Sequence, residues 1–249
     1  MSNKPKNILI TGGSSGIGAA LANLFAAPGV RLILIGQNAE RLKTIGDLCR
    51  NAGAQSSEHV IDVTDQDAME KILNESMPLD LVIANAGISG KEDTGFICNT
   101  RKIFSVNVGG VLNTVLPALS LMRNNGGGQV AIISSVAGYR GLASAPAYSA
   151  SKAAIKCWGE ALRTRYAKDR IRISVVCPGF VESNMTAKNK FYMPWIMSSH
   201  RAARIIQRGL SANRRQITFP WQMHLLGAMM YYMPGKFFDF IGGLLPRKE

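Results

Sequence analysis

Short apolar runs alternate along this chain with segments of helical periodicity, and this alternation limits the possible folds more than any other feature. The first run, residues 7–11, ends in glycines, and residues 17–27 then carry apolar side chains at helical spacing. Further strands are predicted at residues 30–35, 59–61, 79–84, 129–134, 171–177 and 216–219. Such alternation predicts βαβ units, and therefore an α/β fold in which helices flank a parallel sheet of about seven strands.

The composition is that of one globular domain in a reducing compartment. The chain has 249 residues, of which 47% are hydrophobic and 18% charged, and no low-complexity tract or linker divides it. A disordered or fibrous chain is thereby excluded, and residues 1–249 are predicted to form a single domain. The four cysteines are scattered without a CxxC pair, so we expect neither disulfides nor a metal site, and a cytoplasmic protein.

The positive charge is concentrated in the C-terminal quarter. The net charge is +13, and residues 188–249 contain ten basic side chains against only Asp239 and Glu249. An excess of this kind points to nucleic acid or an anionic membrane surface as a partner. No nucleic-acid recognition motif accompanies the charge, so we expect no nucleic-acid partner.

A glycine-rich turn joins the first predicted strand to the first predicted helix. Its sequence, TGGSSGIG at residues 11–18, departs from the GxGxxG spacing of the common dinucleotide fingerprint. Glycines permit a tight turn and close backbone approach, while the unpaired N–H groups of a helix N-terminus attract pyrophosphate. The turn thus predicts these dinucleotide contacts: Gly12, Ser14, Ser15, Gly16, Ile17 and Gly18.

Two further features supply candidates for proton chemistry. Tyr148 and Lys152 lie four residues apart in a helical pattern and therefore project from one face. A neighbouring ammonium stabilises a phenolate, which would bring the tyrosine pKa from its usual value near ~10 toward the working range. Ser134 and Ser135 end the fifth predicted strand, at the sheet edge where ligands bind in open α/β folds.

Five motifs in order resemble the short-chain dehydrogenase/reductase family along most of the chain. After TGxxxGxG these motifs are Asp62-Val63, Asn85-Ala86-Gly87, the YxxxK of residues 148–152, and Pro178-Gly179. The resemblance implies a Rossmann-type doubly wound sheet. It also implies NAD(P)-dependent hydride transfer between the nicotinamide and the carbonyl or alcohol carbon of a small molecule.

The resemblance assigns the catalytic roles. Ser135, thirteen residues before the tyrosine, would hydrogen-bond the substrate oxygen, with Ser134 the weaker candidate. Tyr148 would exchange the proton, and Lys152 would tune Tyr148 and bind the nicotinamide ribose. Asn107, in the predicted helical stretch 101–117, would hold a water that connects the lysine to solvent.

The same resemblance places further residues around the cofactor. Asp62 and Val63 would border the adenine. The residues implied beside the sheet and the nicotinamide are Asn85, Ala86, Gly87, Pro178, Gly179 and Val181.

The end of the second strand selects between NADP(H) and NAD(H). Here the sequence is Gly36-Gln37-Asn38, with no acidic side chain to repel a phosphate. Gln37 and Asn38 can hydrogen-bond a phosphate, and Arg41 in the next helix can supply charge. We therefore expect NADP(H) rather than NAD(H).

Two later segments bear on the substrate and partners. Residues 182–199 are rich in Met and aromatics, and either form an apolar lid that favours a hydrophobic substrate or simply pack over the domain. The C-terminal apolar and basic extension, residues 220–249, fits a peripheral membrane contact, a helix that closes the site, or a subunit contact. Its longest apolar stretch, 225–233, is too short to span a bilayer.

The resemblance also implies a homodimer or homotetramer. The rival function is a noncatalytic nucleotide-sensing or scaffold protein, because a fold alone does not establish an activity.

Overall fold

The computed structural model describes residues 4–90, 96–188 and 191–236, and it contains one parallel sheet of seven strands. The strands lie in the order β3-β2-β1-β4-β5-β6-β7. β2 and β3 are therefore added on one side of β1, and β4 to β7 on the other, so the strand order reverses between β1 and β4. The strands are β1 Asn7–Thr11, β2 Arg31–Gly36, β3 Gln55–Val60, β4 Leu81–Ala84, β5 Gly128–Ile133, β6 Ile171–Pro178 and β7 Gln216–Phe219. This confirms the predicted doubly wound α/β fold.

Helices cover both faces of the sheet. They are α1 Gly16–Phe25, α2 Ala39–Asn51, α3 Gln66–Ser76, α4 Phe96–Phe104, α5 Gly110–Asn124, α6 Pro146–Arg165, α7 Ser199–Ser211 and α8 Trp221–Tyr232. In β1, Ile8 and Ile10 pack against the layer that contains α1, α2 and α7, while Leu9 packs against the layer of α3, α5 and α6. Because the central strands are buried on both faces, they are apolar at nearly every position.

The third strand begins four residues earlier than predicted and is longer. The prediction put it at residues 59–61, whereas β3 runs over Gln55–Val60 and pairs with β2 in parallel from Arg31↔Gln55 to Gly36↔Val60. β3 is an edge strand whose side chains are mostly half-buried or exposed, so its sequence QSSEHV is polar. A search for apolar runs does not detect such a strand.

The helical stretch predicted at residues 101–117 is longer and less regular than expected. α4 passes into a π-helical turn at Ser105–Gly109 and then into α5, which continues beyond Pro117 to Asn124. The segment Ile97–Asn124 is long and apolar enough to cross a membrane by length and composition. Half of that apolar window is buried within the fold, as in the core helix of a globular protein.

Adjacent glycines in this helix give a direct test of its packing. A Cβ on Gly110 would overlap Cγ2 of Val63, whereas a Cβ on Gly109 would meet nothing within 4 Å. We expect Gly110→Ala to lower the free energy of unfolding by about 1–3 kcal/mol. Gly109→Ala should raise it by about 0.4–1 kcal/mol, because alanine restricts the unfolded chain. Urea titrations of both variants measure the difference, and equal effects would contradict the close approach of α5 to Val63.

Candidate active site

A cavity of about 970 Å³ opens at the carboxyl edge of the sheet. Its lining begins at the glycine turn, passes the ends of β4, β5 and β6 and the start of α6, and ends between the loop after β6 and α8. Within the described residues, no three His, Cys, Asp or Glu side chains are grouped as a metal site requires.

Gly12 and Gly18 in the glycine turn have no room for a side chain. Gly12 has a φ of +66°, and a Cβ there would lie 2.8 Å from Nδ2 of Asn85. A Cβ on Gly18 would overlap the carbonyl oxygen of Gly12. Glycine is therefore needed both for the conformation of the turn and for its contact with α1.

The N-terminus of α1 is uncapped and borders the cavity. The side chain of Ser15, at the N-cap, accepts no hydrogen bond from the helix, and Ser15, Gly16 and Ile17 line the cavity. Three other helices are capped, by Asn38, Asp65 and Ser198. The first N–H groups of α1 thus have neither an intrahelical partner nor a cap, as a phosphate-binding helix N-terminus requires.

Asn85 fastens the glycine turn to the end of β4. Its Nδ2 donates to the carbonyl oxygens of Thr11 at 3.0 Å and Gly12 at 3.2 Å. The backbone N–H groups of Asn85 and Ala86 donate to Oγ1 of Thr11, at 3.0 Å and 3.1 Å. Asn85, Ala86 and Gly87 then line the cavity.

Ser135, Tyr148 and Lys152 meet in the middle of the cavity. Oγ of Ser135 donates to the carbonyl oxygen of Pro178 at 3.4 Å and accepts from the N–H of Ala137 at 3.1 Å. Nζ of Lys152 donates to the carbonyl oxygen of Ile133 at 2.9 Å and lies 5.8 Å from the ring centre of Tyr148. Oγ of Ser134 instead donates to the carbonyl oxygen of Lys152 at 2.7 Å.

Lys152 is not among the groups that shift the pKa of Tyr148. Burial raises the pKa of Tyr148, and the hydrogen bond with Ser135 only partly opposes this. Burial likewise lowers the pKa of Lys152 to about 8. Nζ of Lys152 donates to the carbonyl oxygen of Ile133 rather than to the phenol oxygen, and the tuning of Tyr148 by Lys152 stays a prediction.

Asn107 is fully buried in the π-helical turn and lies outside the cavity lining. Its Oδ1 accepts from the N–H of Ile88 at 2.8 Å, and its Nδ2 donates to the carbonyl oxygen of Ile88 and to Oγ of Ser151, both at 3.0 Å. A Cβ on Gly87 would lie 3.2 Å from Oδ1 of Asn107 and 3.3 Å from Nζ of Lys152. Asn107 therefore fixes the backbone beside the lysine.

The residues expected around the adenine lie outside the cavity lining. Nε2 of Gln37 donates to Oδ2 of Asp62 at 2.6 Å, and Asn38 caps α2. Val63 is buried beneath α5 and takes part in the core. Arg41, in contrast, lines the cavity at the end where the glycine turn lies.

Ser14 and Gly18 also lie outside the cavity lining, as parts of the support of the glycine turn. Ser14 packs close to Gly36, where an added Cβ would lie 3.2 Å from Oγ of Ser14. Gly18 is buried against Gly12. Pro178, Gly179 and Val181 line the cavity at the opposite side, after β6.

Only part of the predicted apolar lid faces the cavity. Met185 and Phe191 line it, and the ring of Phe191 packs edge-on against Phe180 at 5.9 Å. Tyr192 and Trp195 are instead exposed, and Met197 is buried in the core. Lys190 and residue 189 lie outside the described residues.

Sequence reasoning offered site closure as one of three roles for residues 220–249, but it missed Tyr139. Met223, Leu226 and Met230 of α8 line the apolar end of the cavity. The hydroxyl of Tyr139 forms a hydrogen bond with Nδ1 of His224 at 3.0 Å. The position of Tyr139, four residues after Ser135, is the one available signal for it in the sequence.

The buried lysine generates a pH-dependent stability. Below pH 8 the folded and unfolded chains both carry the proton of Lys152, so the cost of burying its charge is complete. Between pH 8 and pH 10.5 the folded chain loses its proton first, so this cost disappears as the pH rises. We expect Lys152→Met to raise the free energy of unfolding by about 1–3 kcal/mol at pH 7. This gain should vanish toward pH 10.5 in urea titrations.

Lys156→Met, one turn later, is the matched control. Burial lowers the pKa of Lys156, but its ion pair with Glu160 at 2.8 Å more than compensates, so the pKa is raised overall. This variant should gain no stability at pH 7. A gain like that of Lys152→Met would show that apolar replacement of any lysine on α6 is stabilising.

Comparisons with known proteins identify the family. Residues 6–191 match the family model described as short chain dehydrogenase. An oxidoreductase described as uncharacterized, from Myxococcus xanthus, is 36% identical over 240 residues, which cover 94% of this chain and 95% of that protein.

Solved structures show the same fold. A short-chain dehydrogenase from Mycobacterium paratuberculosis bound to NAD is 25% identical with a TM-score of 0.76, covering 85% of this chain and 94% of that one. One from Sphingobium yanoikuyae in complex with NADPH is 23% identical with a TM-score of 0.79, covering 92% and 96%. The predicted family is thereby confirmed: this chain is an oxidoreductase of the short-chain dehydrogenase/reductase family.

Proposed function

We propose that this protein is an NADP(H)-dependent reductase that transfers a hydride between the nicotinamide and the carbonyl or alcohol carbon of an apolar small molecule. One observation carries the proposal. A single cavity connects the uncapped N-terminus of α1, the Ser135–Tyr148–Lys152 cluster and an apolar chamber below α8. Cofactor, proton donor and substrate would therefore meet in one enclosed space.

The residues present fit a dinucleotide. The free N–H groups at Gly16 and Ile17 would hold the pyrophosphate, and the absence of side chains at Gly12 and Gly18 gives the phosphate close access. The bound nicotinamide supplies or accepts the hydride at C4. Lys152, with Nζ beside Gly87, would hydrogen-bond the ribose and orient the ring.

Tyr148 would be the general acid in reduction and the general base in oxidation. Tyr148 is protonated at neutral pH, since burial only raises its pKa above the usual value near ~10, and it would donate that proton to the more basic developing alkoxide. Ser135, which lines the cavity with Tyr148, would polarise and orient the same oxygen. We propose that Asn107 is a positioning residue that fixes the backbone of Ile88. The water that Asn107 would hold between Lys152 and solvent stays a prediction.

Arg41 supports NADP(H) over NAD(H). The amide of Gln37 is engaged with Asp62, and Asn38 caps α2, so neither supplies positive charge. The guanidinium of Arg41 borders the same end of the cavity, and it can neutralise a ribose 2′-phosphate through charge-assisted hydrogen bonds.

An apolar substrate is supported by the far end of the cavity. Its lining there comes from Met185, Phe191, Met223, Leu226 and Met230. Thioether and branched side chains of this kind fit an aliphatic or ring-based skeleton and offer it few hydrogen bonds. We propose that the enzyme works in the cytoplasm as a homodimer or homotetramer.

Tyr148→Phe tests the catalytic assignment. The variant removes the proton donor and keeps the ring, so turnover of apolar ketones with NADPH should fall by about 10²–10⁴-fold or more. Its affinity for NADPH, measured by fluorescence titration, should change less than about twofold. Tyr166→Phe, at the other end of α6, is the control and should keep the wild-type rate.

A Tyr148→Phe enzyme near the wild-type rate would refute the role. A wild type that binds NADPH but never turns over would favour the noncatalytic nucleotide-sensing or scaffold reading.

Arg41→Ala tests the cofactor preference. Loss of a charge-assisted contact to the 2′-phosphate should weaken NADPH binding by about 10–100-fold and leave NADH binding within about twofold. Lys43→Ala, on the same helix but paired with Asp47, should change neither affinity. Equal weakening of both cofactors would place Arg41 away from the 2′-phosphate.

A further inference from the structure

Two separate segments expose apolar and aromatic side chains around the substrate end of the cavity. In α8, Trp221 and Tyr232 are 70% and 83% exposed, and Leu225 and Met229 are 53% and 57% exposed. In the loop after β6, Tyr192 and Trp195 are 88% and 49% exposed. We define these six residues as the apolar rim.

The apolar rim belongs to elements that also build the cavity. In α8, Trp221, Leu225, Met229 and Tyr232 share one face, while Met223 and Met230 on the other side line the apolar chamber. In the loop, Phe191 lines the chamber and the adjacent Tyr192 is exposed. Each segment is therefore apolar both toward the cavity and toward the solvent. A segment that only covers a site needs apolar side chains toward the cavity alone.

The charge of this part of the chain is one-sided. Residues 183–236 contain no Asp or Glu, and two basic residues lie beside α8: Lys236, four residues after its end, and Arg140, which donates to the carbonyl oxygen of Tyr231. Each basic residue near an anionic lipid surface contributes about 1 kcal/mol of attraction. Trp and Tyr beside basic residues are also the side chains favoured at the headgroup level of a bilayer.

The same charge argues against a second copy of this chain as the occupant. A twofold contact would place the rim, with Arg140 and Lys236 beside α8, against the identical surface of the partner. Like charges would then face each other at the contact, whereas an anionic bilayer neutralises them.

We infer that the apolar rim docks on an anionic lipid bilayer and that the apolar substrate enters the chamber from that bilayer. The entry route rests on the proposed function, whereas the lipid docking does not. The protein lies at the membrane surface, with α8 between the lipid and the chamber.

Vesicle sedimentation of the full-length protein tests the docking. We expect the wild type to sediment with vesicles of phosphatidylcholine and phosphatidylglycerol at 7:3, and much less with phosphatidylcholine alone. Leu225→Ser combined with Met229→Ser should lower the partition coefficient by about tenfold or more. The binding should weaken in 0.5 M salt.

The opposite edge of the sheet supplies a matched control. Leu48 and Val60 lie on α2 and β3, far along the strand order from β7 and α8, and are 49% and 57% exposed. The double variant Leu48→Ser, Val60→Ser should bind vesicles within about twofold of the wild type. Brominated lipids should also quench Trp195 and Trp221, two of the three tryptophans.

The outcomes separate docking from catalysis. Leu225 and Met229 do not line the cavity, so their double variant should keep NADPH binding and turnover of a water-soluble ketone, while turnover of a ketone dissolved in vesicles falls. A wild type without any turnover would overturn the proposed function and leave the docking result standing. Equal vesicle binding by wild type and variant, or none by either, would overturn the docking. The docking would also be overturned if the double variant dissociates a wild-type oligomer, measured by light scattering, while neither protein binds vesicles.

Discussion

The site depends on the hydrogen bonds between Thr11 and Asn85, which join the ends of β1 and β4 where the strand order reverses. The side-chain oxygen of Thr11 accepts two backbone N–H groups from the β4 end, and the amide of Asn85 donates to two carbonyl oxygens of the glycine turn. These bonds satisfy the polar groups of the turn from the side of the sheet. The first N–H groups of α1 have no side-chain cap, and Ser15, Gly16 and Ile17 line the cavity, as an anion site at a helix N-terminus requires.

The second constraint is the burial of Lys152. Its side-chain ammonium donates to the carbonyl oxygen of Ile133, and its backbone carbonyl accepts from Oγ of Ser134. Both bonds of Lys152 therefore connect α6 to the end of β5. Packing of this kind holds Tyr148 and Ser135 in register across two elements. The accompanying cost in stability is expected where a polar group is kept in the core for its chemistry rather than for folding.

The sequence predicted those parts of the fold whose side chains follow from burial. β1, β2 and β6 are apolar because both faces are covered, and their positions were found nearly to the residue. β3 escaped because an edge strand shares the composition of a loop. The burial of Asn107 depends on a π-helical turn, which no spacing of apolar residues encodes. Tyr148 and Lys152 were placed on one helix face, but the burial that raises the pKa of Tyr148 and the acceptor that Nζ of Lys152 finds are both tertiary properties.

The C-terminal segment shows why composition alone left three alternatives open. An apolar helix of this composition suits a core, a subunit contact or a bilayer equally well, and only the direction of each side chain separates them. Met223 and Met230 line the chamber while Leu225 and Met229 are exposed, so α8 is apolar on both sides, as the proposed docking on a bilayer requires. A helix that merely closed the site would gain solubility from charges on its outer face. Their absence in α8, together with the basic and acid-free sequence around it, is what a surface exposed to anionic lipid would retain.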